Sequence, residues 1–212
     1  MKPGCRRGEA MNTIATTTLL ETAALYQSWG WRIFPVDRGK IPRCRWTYWT
    51  REPLGRRQTE ELFSRPGTAG IGVALGQRSN GLVALDFDVV PACAMWESEF
   101  AEIAAELPVS QTFRGKHFFG RVSEAVHGKD FQGGEFKADG RFVILPPSEH
   151  ESGVCYRWIR TPEPDGQIPT IAPEWFQLAE DPSFRFPPPL TNAVLLHKSV
   201  YDICNMGAGV RN

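Results

Sequence analysis

The feature that most constrains the fold is a short apolar stretch, residues 81–88, which ends in two acids. Its sequence, Gly-Leu-Val-Ala-Leu-Asp-Phe-Asp, is typical of a buried β-strand. Side chains alternate between the two faces of a strand, so Asp86 and Asp88 should project from one face and Phe87 from the other. Two neighbouring carboxylates repel each other unless a cation lies between them, and hard divalent cations such as Mg²⁺ prefer carboxylate oxygens. The pair is equally consistent with a metal site and with a strand end whose acids face water.

The chain is large enough to bury a hydrophobic core. Its 212 residues are 42% hydrophobic and 11% aromatic, which predicts one domain or one domain with an appendage. Apolar runs stay well short of the ~18 residues that span a bilayer, and the polar N-terminal residues lack a signal-peptide core, so we expect a cytoplasmic protein. Five cysteines lie far apart without a Cys-x-x-Cys pair, which favours neither a disulfide framework nor a zinc site.

Basic residues are concentrated in one segment, although the formal net charge of the chain is zero. Zero net charge argues against a uniformly basic nucleic-acid binder. From Arg32 to Arg57, however, eight residues are basic and only two are acidic, and Trp46, Tyr48 and Trp49 are interleaved with them. Such a mixture suits a groove that follows a phosphate backbone and stacks bases. A solvated loop with a few core tryptophans explains the composition equally well.

Local patterns predict several helices and strands. They are a helix after Met11 that ends at Gly30, a strand at 31–36, a short helix at 59–65 with Thr59 as its N-cap, a last strand at 156–159 and a short helix at 173–178. Between the first strand and the second helix, a turn at 37–42 should present Lys40 to solvent or to a phosphate.

Two pairs of strands are predicted to form antiparallel hairpins. Residues 70–76 and 81–88 are separated by a polar, turn-like segment, so we expect these strands to pair. Residues 135–137 and 142–145 flank an Asp-Gly turn signal and should form a second hairpin with a carboxylate near its start.

A helix is predicted from Pro91 to Leu107, because proline suits a first helical turn and Pro108 stops the pattern. Its apolar residues fall on one face. The other face carries four acids, Glu97, Glu99, Glu102 and Glu106. We therefore expect this helix to face away from any nucleic acid.

A cationic segment follows that helix, as the chain returns through residues 111–120. Gly115 would let the backbone approach a ligand closely, and Arg114, Lys116 and His117 place three possible cationic donors around it. A histidine beside aromatic residues is commonly a packed core residue, but the adjacent charges favour a role in binding.

In order and spacing, these motifs resemble the bifunctional primase-polymerase domain of the archaeo-eukaryotic primase superfamily, found in replication proteins of plasmids, phages and integrated elements. The resemblance extends from about residue 25 to residue 178. It is carried by Gly-Lys-Ile-Pro at 39–42, the glycines of 70–76, Asp-Phe-Asp at 86–88, Gly-Lys-His at 115–117, Glu-Phe-Lys-Ala-Asp-Gly at 135–140, and Pro-Pro-Ser-Glu-His at 146–150 followed by Tyr156 and Trp158.

The resemblance implies an α+β fold, in which a primase-type catalytic core has a mainly antiparallel, RRM-like sheet flanked by helices. An N-terminal α/β unit and a C-terminal helical tail would complete it. We expect a disordered tail at 1–12, the catalytic domain at 13–180, and a linker with the start of a helical segment at 181–212. In a longer protein, a helicase domain would follow that segment.

The resemblance also implies a metal site. In the family, two acids of one strand and a third acid from a later strand hold two divalent metal ions. Asp86, Asp88 and Glu135 occupy these positions and would be both the catalytic residues and the ligands of two Mg²⁺ or Mn²⁺ ions. No zinc is expected.

Substrate contacts follow from the same resemblance. His117 matches a histidine that contacts the triphosphate of the incoming nucleotide. The rest of the nucleotide site would comprise Arg114, Gly115, Lys116, Lys137, Ser148 and His150. Contacts to the template are expected from Lys40, Arg43, Arg45 and Trp46.

The resulting prediction is a nucleotidyltransferase that makes and extends primers on single-stranded DNA from NTPs or dNTPs, in the replication of a mobile element. Two alternatives remain open. A metal-dependent nuclease or another phosphoryl-transfer enzyme could use the same acids and histidine. A replication-initiator module could instead bind DNA through the basic segment between Arg32 and Arg57 without catalysis.

Overall fold

The structure, a computed structural model, describes residues 9–131 and 133–171. The predicted helix at 173–178, the predicted linker and helical segment at 181–212, and residues 1–8 of the predicted tail lie outside these ranges. Across the two described ranges, none of the helices has the length and apolar character needed to cross a membrane.

Five α-helices and nine β-strands occur in the described residues. The helices are α1 (Glu9–Ser28), α2 (Trp46–Trp49), α3 (Arg56–Phe63), α4 (Val90–Glu99) and α5 (Ala101–Glu106). The strands are β1 (Arg32–Val36), β2 (Gly70–Ala74), β3 (Leu82–Phe87), β4 (Val109–Gln111), β5 (Lys116–Arg121), β6 (Lys129–Phe131), β7 (Gly134–Lys137), β8 (Phe142–Leu145) and β9 (Arg157–Arg160).

The strands form two sheets whose neighbouring strands are all antiparallel. One sheet has three strands in the order β1-β2-β8, and the other has six in the order β6-β7-β3-β5-β4-β9. Helices pack against both sheets. This mixture of helices and antiparallel sheets confirms the predicted α+β class.

Both predicted hairpins are wrong, because each predicted turn passes the chain from one sheet to the other. Strand β2 pairs with β1 and β8, whereas β3 pairs with β5 and β7. Likewise, β7 pairs with β3 and β6, and β8 pairs with β2. The turns themselves exist: Gly76 and Gly140 adopt φ values of +77° and +79°. All residues of β2 and β3 are buried, so the backbone N–H and C=O groups on both edges of each strand need hydrogen-bond partners. Each strand therefore lies in the interior of its own sheet.

The six-stranded sheet separates two hydrophobic cores. On one face, Leu82, Ala84 and Phe119 pack with α1, α3 and the three-stranded sheet. On the other face, the alternate residues of β3 and β5 pack against α4 and α5, with Trp96 in the centre of that cluster. The face that carries Leu82 and Ala84 also carries Asp86, because these residues alternate along β3. The site described below lies at this end of the strand.

Three helix boundaries test the predictions from local pattern. The first helix ends before Gly30, whose φ is +79°, as predicted. Helix α3 begins three residues earlier than predicted: Gly55 is its N-cap, and the Thr59 hydroxyl lies inside the helix, where it donates to Gln27 Oε1 at 2.9 Å. The predicted helix at 91–107 is two helices, since the backbone leaves helical geometry at Phe100 (φ −113°, ψ 41°).

Candidate functional site

Strand pairing brings three of the predicted site residues into one row across the six-stranded sheet. Asp86 on β3 lies directly opposite His117 on β5 and, on its other side, opposite Glu135 on β7. Residues paired in this way project from the same face, with their Cβ atoms about 4.5–5.5 Å apart. The three side chains come from segments that are far apart in the sequence, and the sheet register places them together.

Asp86 is a buried carboxylate with two cationic partners. Its Oδ1 lies 3.2 Å from His117 Nε2 and its Oδ2 lies 2.8 Å from Lys137 Nζ. The residue is only 8% exposed. Burial raises the pKa of this carboxyl group, but His117 and Lys137 lower the pKa by more, so that it lies well below its ordinary value. Asp86 is therefore ionised at neutral pH although it is buried.

Glu135 shares the same lysine. Lys137 Nζ lies 3.1 Å from Glu135 Oε2, so one ammonium group bridges the carboxylates of β3 and β7. Burial lowers the pKa of Lys137, but the two acids raise its pKa by more. Arg141 Nη1 lies 3.4 Å from the same Glu135 oxygen and 2.6 Å from Asp130 Oδ1. The acidic row is thus matched by a cationic pair at its β7 end.

Asp88 lies one residue beyond the end of β3 and is exposed. Its backbone N–H donates to the carbonyl oxygen of Gly133 at 3.1 Å, which holds the segment against the start of β7. Burial raises the pKa of Tyr156, and the negative charges of Asp86 and Asp88 raise it further.

The row opens into a cleft of about 410 Å³. Lining residues include the following: Lys40, Trp46, Asp86, His117, Glu135, Lys137, Arg141, Phe142 and Tyr156. Trp46 is half-buried, stacks on Phe34 with ring centroids 5.5 Å apart, and contacts Phe142 edge-on at 5.4 Å. The lining of the cleft therefore combines charged and aromatic side chains, a combination that suits a nucleotide or a nucleic-acid strand.

The donor chemistry of the acids fits a divalent cation, because carboxylate oxygens from Asp86 and Glu135 converge on one position now taken by the Lys137 ammonium group. In the described part of the chain, no three His, Cys, Asp or Glu residues lie close enough together to form a complete metal-binding group. Two of the three predicted ligands thus converge, and the third, Asp88, lies exposed one residue beyond the end of β3.

Lys116, which we predicted to bind nucleotide, lies on the opposite face of the sheet from His117. It pairs with Phe87, and its Nζ lies 2.7 and 3.0 Å from the two carboxylate oxygens of Glu97 on α4. Glu97, one of the four acids on the outer face of the predicted helix, is therefore paired with Lys116. Adjacent residues on a strand point in opposite directions, so Lys116 and His117 cannot both face the cleft.

Gly115 is needed by the packing of the strands. A Cβ atom at this position would lie 1.8 Å from the carbonyl oxygen of Phe87. The close approach that the glycine permits is between the β4–β5 turn and the end of β3, which corrects the expectation that it admits a ligand. The turn also closes through the Thr112 hydroxyl, which accepts from the Gly115 N–H at 2.9 Å.

We expect Gly115→Ala to destabilise the fold by about 1–3 kcal/mol, because a backbone carbonyl cannot move aside as a flexible side chain can. Urea unfolding measures this effect. Gly39→Ala is the matched control, since the nearest atom to its added Cβ would be a side-chain oxygen at 3.4 Å. Equal free energies of unfolding for the two variants would contradict the packing role of Gly115.

Ser148 is a buried structural residue. It is 1% exposed, its hydroxyl donates to the Leu145 carbonyl at 2.5 Å, and it accepts the Ile71 N–H at 2.8 Å. Both hydrogen bonds tie the end of β8 to β2. The hydroxyl is thus directed into the protein, in contrast to the expected nucleotide contact.

His150 and Arg114 lie together beside Lys40. The His150 ring stacks on Phe113 with centroids 4.5 Å apart, and the Arg114 guanidinium lies 6.0 Å from the same phenyl ring. Partial burial lowers the pKa of His150, and the charges of Lys40 and Arg114 lower it further, against the opposing effect of Glu151. The two cations that lower the pKa of His150, Lys40 and Arg114, are themselves predicted substrate contacts, and Lys40 also lines the cleft.

The remaining predicted template contacts, Arg43 and Arg45, are exposed. Arg43 Nη2 donates to the Pro66 carbonyl at 3.1 Å, and its Nη1 lies 3.9 Å from Asp37 Oδ2. Arg45 directly precedes α2, the short helix that carries Trp46 into the cleft. Arg43 is thus held by the protein itself, whereas Arg45 is at the surface beside the cleft.

Sequence reasoning missed three residues that line the cleft, Arg141, Phe142 and Tyr156. Arg141 follows the Asp-Gly turn and enters the site because β7 and β8 belong to different sheets. Tyr156 is 2% exposed, and its ring lies 6.2 Å from that of His117. Tyr156 and Trp158 contributed to the family resemblance and to a strand pattern, but neither was assigned to the site.

Comparison with protein families gives one match: residues 22–175 match the family described as "Bifunctional DNA primase/polymerase, N-terminal" (Prim-Pol). A search of curated proteins finds no match. The matched region contains every residue of the row and of the cleft, and it covers more than half of the chain. The chain therefore belongs to the bifunctional DNA primase/polymerase (Prim-Pol) family.

Proposed function

We propose that this protein is a primase and DNA polymerase that synthesises and extends primers on single-stranded DNA by template-directed nucleotidyl transfer. Membership of the Prim-Pol family supports primase or polymerase activity in general. The observation that carries the finer proposal is the row formed by Glu135, Asp86 and His117 in a cleft lined by charged and aromatic side chains.

In this proposal, Asp86, Asp88 and Glu135 hold two divalent cations, Mg²⁺ or Mn²⁺. Two such ions supply charge stabilisation to the attacking 3′-oxygen and to the leaving pyrophosphate oxygen. Asp86 and Glu135 already place carboxylate oxygens around a common cation position, and Asp88 lies at the adjoining strand end. All three acids would be ligands and none would be a nucleophile.

The cationic side chains would bind the triphosphate. His117, Lys137 and Arg141 line the cleft beside the acids, where they can neutralise phosphate oxygens and orient the α-phosphorus for in-line attack. This is electrostatic and positioning work. Lys116 and Ser148 are left out of the proposed site, because their side chains are engaged elsewhere in the fold.

The aromatic residues that line the cleft would stack on bases. Trp46 presents a half-buried ring that is braced by Phe34 and Phe142, and base stacking on such a ring is sequence-tolerant. Lys40 lines the same cleft, and the group of Arg114 and His150 lies beside it. We assign Lys40 and Arg45 to contacts with backbone phosphates of the template, because a template-directed enzyme must bind its template independently of the base sequence.

The direct test is incubation of labelled single-stranded DNA with Mg²⁺ or Mn²⁺, with and without nucleotides. We expect new, longer product only when nucleotides and a divalent cation are both present, and no product after chelation. Shortening of the DNA without nucleotides would identify a nuclease instead. Binding that survives chelation with no synthesis under any condition would identify a non-catalytic initiator module.

The same proposal extends to the context of the protein. We propose that residues 13–180 are the catalytic domain, that a helical segment and a helicase domain follow them in a longer protein, and that the enzyme serves replication of a mobile element. Synthesis by residues 13–180 alone, compared with the full chain, tests the proposed domain boundary.

A further inference from the structure

The ammonium group of Lys137 lies between the carboxylates of Asp86 and Glu135. Its ammonium nitrogen lies 2.8 Å from Asp86 Oδ2 and 3.1 Å from Glu135 Oε2, and its side chain is 20% exposed. Arg141 also approaches Glu135, but Arg141 is paired with Asp130 at 2.6 Å, so much of its charge is matched elsewhere. Lys137 is therefore the cation that contacts both carboxylates of the pair, of which Asp86 is the buried one.

A divalent cation held between Asp86 and Glu135 would take the position of the Lys137 ammonium group, because the other oxygen of Asp86 faces His117. An ammonium group and a divalent cation a few ångströms apart repel each other strongly in a partly buried site. The lysine must then release the two oxygens before the cation can take them. Its flexible four-carbon stem allows this movement, and triphosphate oxygens would offer the ammonium group a new partner.

We propose that Lys137 is an internal counter-ion that competes with the divalent cation for Asp86 and Glu135. The proposal rests on the function proposed above. Lys137 keeps the two carboxylates close together in the metal-free protein. It weakens cation binding until a nucleotide is present whose phosphate oxygens bind the ammonium group. Cation and nucleotide then bind with positive cooperativity. The nucleotide draws the ammonium group away from the carboxylates, and the cation replaces the positive charge that the carboxylates then lack.

The test is the affinity of the template-free protein for Mn²⁺, measured by isothermal titration without nucleotide. We expect Lys137→Met to bind Mn²⁺ about tenfold to a hundredfold more tightly than wild type, as removal of a neighbouring positive charge requires. Lys137→Arg keeps the charge and should stay within about threefold of wild type. Lys116→Met is the matched control, because it removes a lysine from another half-buried ion pair on the opposite face.

An unchanged or weaker Mn²⁺ affinity of Lys137→Met would overturn the proposal. If this variant fails to fold without metal, Lys137→Gln retains a hydrogen-bond donor without the charge, and the same tighter binding is expected of it. Adding Glu135→Gln to either variant distinguishes failure of the counter-ion proposal from failure of the proposed carboxylate metal site. Loss of Mn²⁺ binding in the double variant supports the carboxylate site, whereas undiminished binding there shows that the proposed metal site itself is wrong.

Discussion

Replacing Asp86 with asparagine is expected to abolish primer synthesis, with a loss of about 10³-fold or more, since the carboxylate that would hold the cations is removed. The amide is nearly the same size as the carboxylate, so the packing of β3 should survive. Lys137 retains Glu135 as a charged partner, and His117 loses the negative charge beside it. Primer synthesis on unprimed single-stranded DNA measures activity, and circular dichroism checks the fold.

The matched control for this variant is Asp130→Asn on β6. Asp130 belongs to the same row, opposite Glu135, but it is exposed and pairs with Arg141 at the edge of the sheet. We expect this control to keep synthesis within about threefold of wild type, because surface ion pairs contribute little. Full activity of Asp86→Asn would contradict the assignment of Asp86 as a catalytic acid, independently of the activity of Asp130→Asn.

The second large effect is expected for His117→Ala. Loss of one charge-assisted hydrogen bond to a phosphate, about 1.5–3 kcal/mol, corresponds to a rise of roughly 10-fold to 150-fold in the KM for nucleotide. Binding of single-stranded DNA should change by less than about twofold, because template contacts are assigned to other residues. Steady-state kinetics and a DNA-binding titration on the same preparation measure the two quantities.

A histidine that is 4% exposed and packed beside Phe119 and Tyr156 also has a structural role. His127→Ala removes an exposed histidine and is expected to change neither quantity. If His117→Ala loses nucleotide use and DNA binding to the same extent, the residue supports the sheet and does not contact substrate. A rise in KM alone supports the proposed contact.

The candidate site could be predicted in part because strand alternation and residue chemistry are local. The position of Asp86 at a strand end, on the face away from Phe87, followed from the pattern of residues 81–88. The same alternation could have separated Lys116 from His117, but the cluster of charges in the sequence suggested one common site. The structure brings Glu135 to Asp86 through pairing of β3 with β7, which no local pattern reveals.

Glycine and serine positions show a second limit. Gly115 and Ser148 lie in motifs that suggest ligand contacts, yet their nearest neighbours are the carbonyl of Phe87 and backbone groups of β2 and β8. A small residue permits close approach, but the sequence does not say what approaches. That depends on which segment is packed against it.

By itself, the sequence determined the end of the first helix and the turns at 76–81 and 139–140, because these features depend on backbone preferences and periodicity within a few residues. It also supplied the acids, histidine and lysine available for chemistry, and the resemblance of its motifs to a known family implied the α+β class. Only the tertiary structure decided that the strands on either side of each turn join different sheets, which side chains share the cleft, and that Lys137 lies between Asp86 and Glu135. Those outcomes depend on burying both faces of β2 and β3 at once, a requirement set by the whole chain and not by any single segment.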